Sequence, residues 1–206
     1  LIALAVFWLL RGRPLPFEVH LSLFGRMNWS RLGRLLMIGT PISISGIVFS
    51  IVYLFINRIT AGFGTETVAT LGIGNRIESI NYLVASGFGL ATATLVGQNL
   101  GARNADRAAE MTHKTILLVS AYIGITSLFF LIFPEAIVRV FTSDAAVIEA
   151  SRSYIRILAL SQVFMGWEIV LEGAFSGAGD TWPPMIVAIP GAIARIPLAW
   201  LLAEYW

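Results

Sequence analysis

Two carboxylates one helical turn apart are the side chains of this sequence best suited to chemistry inside a membrane. Glu168 and Glu172 interrupt a long apolar run, and a spacing of four places both on one face of a helix. Two like charges at that distance, partly removed from water, resist ionising together, so one of them is expected to hold a proton. Exchange of a proton at such a site is the chemistry of proton-coupled transport. The alternative is that Glu172 simply reaches water at the end of its helix.

Two further charged residues in apolar surroundings, Arg195 and Glu78, complete the cation-coupling candidates. At a rise of ~1.5 Å per residue, Glu168 lies about 10 Å and Arg195 about 20 Å from the cytoplasmic ends of their helices. Side chains tilt toward the N-terminus of their helix, so a salt bridge between antiparallel neighbours can form. Otherwise Arg195 meets headgroups or a cavity wall. Glu78 either lines an outward vestibule or extends to the interface.

Aromatic side chains in the same helices are candidates for a substrate cavity, because their π faces attract lipophilic cations. The candidates are Phe49, Tyr53, Phe164 and Trp167. Helix packing is the competing explanation for all four. The sequence contains no recognisable catalytic set. It has no cysteine and no HExxH motif, and its two histidines lie in polar segments. Neither catalysis nor a bound metal or cofactor is therefore expected.

The composition identifies the kind of protein that must hold these residues. Hydrophobic residues make up 57% of the chain and charged residues 13%, whereas soluble domains average roughly 45–50% and about 25%. The excess falls in runs near the ~20 residues that cross a bilayer. We therefore predict an all-α integral membrane protein, an antiparallel bundle of transmembrane helices. No basic run is dense enough to indicate nucleic-acid binding.

The apolar runs predict five full spans plus the end of another, which is Leu1–Leu10. The full spans are expected at about 35–56, 68–96, 115–133, 148–175 and 183–202. A polar connection, 11–34, precedes the first span, and residues 103–114 are expected to form an amphipathic surface segment. Ser143 is a candidate N-cap for the fourth span, and Pro134 is expected to end the third. Lys and Arg residues are more numerous in the connections on the side of the membrane that holds residues 11–34 than in those on the other side. The side with residues 11–34 is therefore predicted to be cytoplasmic.

Several helix-end motifs resemble those of the multidrug and toxic compound extrusion (MATE) family. They are IGTP at 38–41, ATLGIGNRIESI at 69–80, GQNLGARNADRA at 97–108, FTSDAAV at 141–147 and GAGDT at 177–181. Each is short, but together they follow the family's order and spacing over nearly the whole chain from about Leu32.

The resemblance implies one lobe of a two-lobe, twelve-helix transporter in the cell (inner) membrane. Residues 1–34 would be the end of a helix and the cytoplasmic linker between lobes, and 35–206 would be the C-terminal lobe with helices seven to eleven, helix twelve being missing. The N-terminal lobe of the same full-length protein and the lipid bilayer would be its partners. An acidic residue common in the middle of helix seven of the family is replaced here by a run with Ser43, Ser45 and Ser50.

Family membership also implies a function, multidrug efflux by H⁺ or Na⁺ antiport with alternating access of the two lobes. Lipophilic or cationic drugs would be the substrates, and the coupling ion would take the place of a cofactor. The alternative is a lipid or lipid-linked oligosaccharide flippase of related architecture, which also needs a large cavity with few charges. An ion channel is not expected, because no repeated filter loop or ring of charges occurs.

Overall fold

The computed structural model describes residues 29–205, which form five long helices and one short one. The helices are α1 (Trp29–Ala61), α2 (Thr65–Gly101), α3 (Ala105–Ile132), α4 (Pro134–Arg139), α5 (Ala145–Ala178) and α6 (Trp182–Tyr205). All but α4 are long and apolar enough to cross a membrane. The predicted fold class, an all-α membrane bundle, is confirmed, while the predicted helix end at Leu1–Leu10 lies outside the described residues.

By its internal contacts the chain divides into two compact units, Leu1–Arg34 and Leu35–Trp206. Most of the first unit lies outside the described residues. The second unit contains every site discussed below. The assignment of 1–34 to a helix end and inter-lobe linker, and of 35–206 to a C-terminal lobe, stays a prediction.

The predicted helix boundaries need three corrections. The helix α1 starts at Trp29, before the predicted 35, and the residues predicted to form a separate surface segment at 103–114 mostly belong to α3. The N-cap of α5 is Asp144, not Ser143. The Asp144 carboxylate accepts hydrogen bonds from the backbone N–H groups of Ala146 and Val147, at 2.9 and 3.5 Å. Hydropathy marks where a helix enters lipid, whereas the helix itself continues into water until its caps.

The helices α2, α3 and α5 form the packed part of the bundle, and α2 packs most extensively on α5. Hydrogen bonds join these two helices at an almost constant separation along the chain, 81 residues for both Thr70–Ser151 and Asn81–Gln162. A constant separation means that α2 and α5 run in the same direction. The antiparallel order therefore holds for successive helices, but the largest interface is parallel.

Small residues bring the C-terminal halves of α2 and α5 into backbone contact. A Cβ atom at Gly173 would collide with the carbonyl group of Gly89, and one at Gly177 would collide with Ala93. Close contact of this kind is how membrane helices gain packing energy when lipid is as apolar as their side chains. We call this interface, from Thr70–Ser151 to Ala93–Gly177, the α2–α5 seam.

Two motifs of the sequence, IGTP and GAGDT, meet at one end of the bundle. The hydroxyl of Thr181 donates a hydrogen bond of 2.8 Å to the carbonyl oxygen of Ile38, which lies three residues before Pro41 in α1. Gly179, with φ at 79°, provides the left-handed residue that ends α5 and turns the chain toward α6. This end of α6 is thereby tied to α1.

Candidate functional site

A cavity of about 940 Å³ lies between α1, α2, α5 and α6. Ligand sites in proteins usually measure about 300–1,000 Å³, so this space is large enough for a drug-sized molecule. The helices α2, α3 and α5 pack closely on one another, whereas α6 makes little contact with α5. The space left beside α5 is the cavity.

The structure places the paired carboxylates in the cavity wall. Glu168 and Glu172 both line the cavity, one turn apart on α5, and both side chains are exposed. Gly173 and Ser176 continue the same face of α5 toward its end. The pair therefore faces an internal space of drug size, and Glu172 also belongs to this wall. Their role in ion coupling is taken up below as a proposal.

Glu78 also lines the cavity, where a chain of buried amides holds it. The Gln162 side-chain N–H donates to the Glu78 carboxylate at 3.2 Å, and the Asn81 side-chain N–H donates to the Gln162 oxygen at 3.1 Å. Both amide side chains are fully buried in the α2–α5 seam, and within residues 29–205 the Asn81 side-chain oxygen has no hydrogen-bond partner. The sequence left two alternatives for Glu78, lining a vestibule or extending to the interface. The structure agrees better with the first, because the half-buried Glu78 carboxylate lines the cavity.

Arg195 lines the cavity without pairing with Glu168. In the part of the chain that the structure describes, no salt bridge joins these two residues; the guanidinium carbon of Arg195 lies 5.6 Å from the ring centroid of Phe49. The cavity-wall alternative is therefore correct, and the salt bridge is not formed. A guanidinium over an aromatic face at this distance is a cation–π contact between α6 and α1.

Three of the four aromatic candidates line the cavity, and the fourth does not. Phe49 and Tyr53 project from α1, and Phe164 projects from α5. Trp167 belongs to another face of α5: its indole N–H donates to the Ser120 hydroxyl of α3 at 2.6 Å, and its ring meets Phe164 edge-on at 5.6 Å. The sequence-based inclusion of Trp167 in the cavity is thus wrong, because its position on the helix turns it toward α3.

The sequence analysis missed three polar residues of the site. Asn75 lines the cavity and accepts a hydrogen bond from the Tyr53 hydroxyl, which links α2 to α1. Gln162 and Asn81 lie behind Glu78. Uncharged amides inside apolar runs were the available signal, because such groups require hydrogen-bond partners in a membrane.

Among the described residues that line the cavity, the acidic and basic side chains carry more negative than positive formal charge. They are three carboxylates, Glu78, Glu168 and Glu172, and one guanidinium, Arg195. Among the described residues no group of three or more histidine or acidic side chains is placed to hold a metal ion. The wall thus combines these carboxylates with the aromatic rings of Phe49, Tyr53 and Phe164.

Five helices long and apolar enough to cross a membrane, four of which line one cavity, define the class of multi-pass α-helical membrane proteins. The MatE family model matches residues 41–201, which is most of the chain. The chain belongs to the MatE family. The resemblance that the helix-end motifs indicated is thereby confirmed.

Relatives in two bacteria carry names that refer to drug resistance. The chain is 32% identical over 180 residues to the probable multidrug resistance protein NorM of Thermotoga maritima, covering 87% of this chain and 39% of that protein. It is 29% identical over 196 residues to the multidrug resistance protein NorM of Burkholderia vietnamiensis, covering 93% and 42%. The chain therefore spans less than half the length of these relatives.

Solved structures show the same fold. A crystal structure of MATE in the straight conformation matches with a TM-score of 0.86 at 21% identity, covering 99% of this chain and 46% of that one. An outward-facing multidrug resistance MATE family transporter of the MOP superfamily matches with a TM-score of 0.72 at 22% identity, covering 81% and 37%. At these identities the likeness establishes the arrangement of helices alone.

Proposed function

We propose that this chain forms one lobe of a multidrug efflux transporter that exchanges H⁺ or Na⁺ for lipophilic or cationic drugs in the cell (inner) membrane. The N-terminal lobe of the same full-length protein would supply the rest of the translocation path. Membership of the MatE family and the names of the relatives support efflux of drugs.

The observation that carries the proposal is the wall shared by carboxylates and aromatic rings. Glu168 and Glu172 face the same cavity as Phe49 and Phe164. A cationic drug gains from both kinds of group, through charge and through cation–π contact. A proton or Na⁺ bound at the carboxylates removes their charge and so weakens drug binding, and bound drug weakens ion binding by the same factor. This reciprocal competition is the thermodynamic basis of antiport.

Alternating access would then expose the carboxylates to each side in turn. Arrival of the coupling ion from outside releases the drug there, and loss of the ion to the cytoplasm restores the drug site. The movement itself would be a rocking of the two lobes about the site, as in other transporters built from repeats.

The charge of the cavity favours a cation over the lipid phosphate that a flippase would carry. A phosphate in this space would meet three carboxylates and a single guanidinium, Arg195. Like charges in a poorly solvated cavity repel strongly. Translocation of a lipid-linked substrate by the protein without an ion gradient would nevertheless establish the flippase alternative.

The test uses the full-length protein, with both lobes, in proteoliposomes loaded with a pH- or Na⁺-sensitive dye. We expect Glu168→Gln, Glu172→Gln or both to abolish ion movement stimulated by a cationic drug, because an amide cannot exchange a proton and carries no charge. The matched control is Glu149→Gln, an exposed residue of α5 outside the cavity, which should leave the flux unchanged.

The two dyes separate the possible outcomes. A proton signal without a sodium signal identifies H⁺ as the coupling ion, and the reverse identifies Na⁺. If both cavity variants retain the full drug-stimulated flux of either ion, the coupling role of this pair is wrong. Loss in Glu168→Gln alone would assign coupling to Glu168.

A further inference from the structure

A second pocket, of about 390 Å³, lies where α3, α4 and the beginning of α5 meet. Three arginines line it, Arg139 from α4 and Arg152 and Arg156 from α5, together with Glu135. Pro134, at the first position of α4, bends the chain there and places Arg139 beside α5. This pocket shares no residue with the large cavity.

The pocket has more positive charge than its own residues neutralise. Glu135 pairs with Arg152 at 3.2 Å, and the described residues of the pocket lining offer no other carboxylate to the guanidinium groups of Arg139 and Arg156. Arg152 and Arg156 are also one helical turn apart, a spacing at which like charges destabilise each other. Guanidinium groups stay charged at any ordinary pH, so an anion is the group that would relieve this repulsion.

The apolar part of the same pocket points to the kind of anion. Ile132 and Phe133, at the end of α3, line the pocket and are 56% and 49% exposed. The pocket thus joins a basic half to an apolar half, as the headgroup and first methylenes of a phospholipid require.

The position along the helices agrees with a headgroup. At ~1.5 Å per residue the 34 residues of α5 extend over about 50 Å, against ~30 Å of bilayer hydrocarbon, so a centred helix projects by about 10 Å at each end. Arg152 then lies near the boundary of the hydrocarbon, and Arg156 lies one turn deeper, with a long side chain that leans toward the N-terminus of its helix and so toward the headgroups. Arginine forms paired hydrogen bonds with phosphate oxygens through its planar fork of N–H groups.

We propose that this pocket is a binding site for an anionic phospholipid. Its phosphate binds to Arg139, Arg152 and Arg156, and its acyl chain lies over Ile132 and Phe133. A free phosphate ion would use the same arginines but would gain nothing from the apolar half.

The test measures lipid binding to the purified full-length protein by native mass spectrometry and by the shift of Tm in detergent. The probes are phosphatidylglycerol, zwitterionic phosphatidylcholine and inorganic phosphate. We expect phosphatidylglycerol to bind and to raise Tm more than either other probe. Arg139→Gln combined with Arg156→Gln should weaken phosphatidylglycerol binding about tenfold or more, since each basic residue contributes appreciably to anionic-lipid affinity.

The matched control removes two other arginines from the chain. Arg58 and Arg76 are exposed and line neither pocket, so Arg58→Gln with Arg76→Gln lowers the net charge equally and should leave the affinity unchanged. Replacing Arg139 and Arg156 by lysine keeps the charge and should give an intermediate affinity. Tm in phosphatidylcholine shows whether each variant is folded.

Three results would overturn the proposal. The first is equal phosphatidylglycerol affinity in the Gln pair and the unchanged protein. The second is an equal loss of affinity in the Arg58/Arg76 control, which would mean that net charge alone attracts the lipid. The third is an equal Tm shift with inorganic phosphate, which would make the pocket a site for free phosphate.

Discussion

The two sides of α5 are built in opposite ways. On one side, in the α2–α5 seam, glycine residues allow backbone contact, and the buried amides of Asn81 and Gln162 hydrogen-bond across the interface. On the other side, α5 faces the cavity with Glu168 and Glu172 exposed. The same helix thus contributes both to the tightly packed seam and to the cavity wall, and Gly89 and Gly173 lie where the seam borders the cavity.

The proline residues also distinguish the closely packed helices from the others. Pro41 lies inside α1, and Pro190 and Pro197 lie inside α6, whereas α2, α3 and α5 contain no proline. Proline inside a helix removes one hydrogen bond and permits a kink. Two of the four helices that line the cavity, α1 and α6, are therefore the ones whose shape can change, and α2 and α5, joined in the seam, are the fixed reference for such a change. Substitutions in the seam should alter stability, and substitutions in the cavity should alter transport.

The largest effect on stability is expected at the glycine contact of the seam. In Gly173→Ala the new Cβ meets the backbone of Gly89, which cannot rotate away, so the helices must separate. Overpacking of this kind costs typically about 1–3 kcal/mol of the free energy of unfolding. Thermal unfolding of the detergent-solubilised full-length protein would show a lowered Tm.

Gly87→Ala is the matched control for that substitution. A Cβ at Gly87 has no neighbour within 4 Å, and alanine favours the helix by about 0.8–1 kcal/mol over glycine. Its Tm should stay equal or rise. A Tm for Gly173→Ala that is no lower than that of Gly87→Ala would mean that the seam is not the rigid part of the bundle.

The buried amides give the next largest effect. Gln162→Leu leaves the Asn81 N–H without its acceptor and Glu78 without its donor, at a cost of about 1–3 kcal/mol by the usual penalty for an unsatisfied buried group. Combining Gln162→Leu with Asn81→Leu should recover part of the loss, because both buried amides are then removed. If the losses of the single variants simply add in the double variant, the two side chains are not coupled.

Much of this organisation could be predicted from the sequence, and the reasons are local. Runs of apolar residues determine the five spans, and the i,i+4 spacing of Glu168 and Glu172 places them on one helix face in any packing. The exact partners of a side chain depend on how helices are rotated against each other. The Glu168–Arg195 salt bridge, which is not formed, and the assignment of Trp167 to the cavity both assumed a rotation that periodicity does not determine.

The parallel packing of α2 against α5 was likewise not predicted from the sequence. Topology gives each helix its direction, but it does not say which helices become neighbours. The glycines Gly89 and Gly173 were the relevant signal, since small residues on two helices match when the backbones touch. The amides Asn81 and Gln162 were a second signal that a hydrophobicity pattern passes over.

A smaller effect on stability is expected where the turn between α5 and α6 is joined to α1. Thr181→Val keeps the shape of the buried side chain but removes the hydroxyl that donates to Ile38, a loss of about 1 kcal/mol. Unfolding in detergent measures the stability, and drug-stimulated flux in proteoliposomes measures the function. Thr94→Val is the control, because the Thr94 hydroxyl bonds only to its own helix, at Leu90. Equal Tm values for the two variants would show that the contact between the α5–α6 turn and α1 contributes nothing to stability.

The smallest effect on stability, with a clear effect on transport, is expected at Arg195. Its contact with Phe49 lies on an exposed cavity wall, so Arg195→Met should change the free energy of unfolding by less than about 1 kcal/mol. Among the described residues Arg195 is the one positive charge that lines the cavity. Removing it strengthens the attraction for a cationic drug by about 1 kcal/mol at a separation near 8 Å and intermediate screening, which is about fivefold in KM.

Flux measurements with one cationic and one neutral drug separate this charge effect from a change of shape. Arg195→Met should lower KM for the cationic drug and leave KM for the neutral drug unchanged, while Arg58→Met, outside the cavity, should change neither. An equal change for both drugs, accompanied by a fall in Tm as large as that of Gly173→Ala, would place Arg195 among the residues that hold the bundle together. The proposed distinction, that seam residues determine stability and cavity residues determine transport, would then not hold for α6. Arg195 would contribute to both stability and transport.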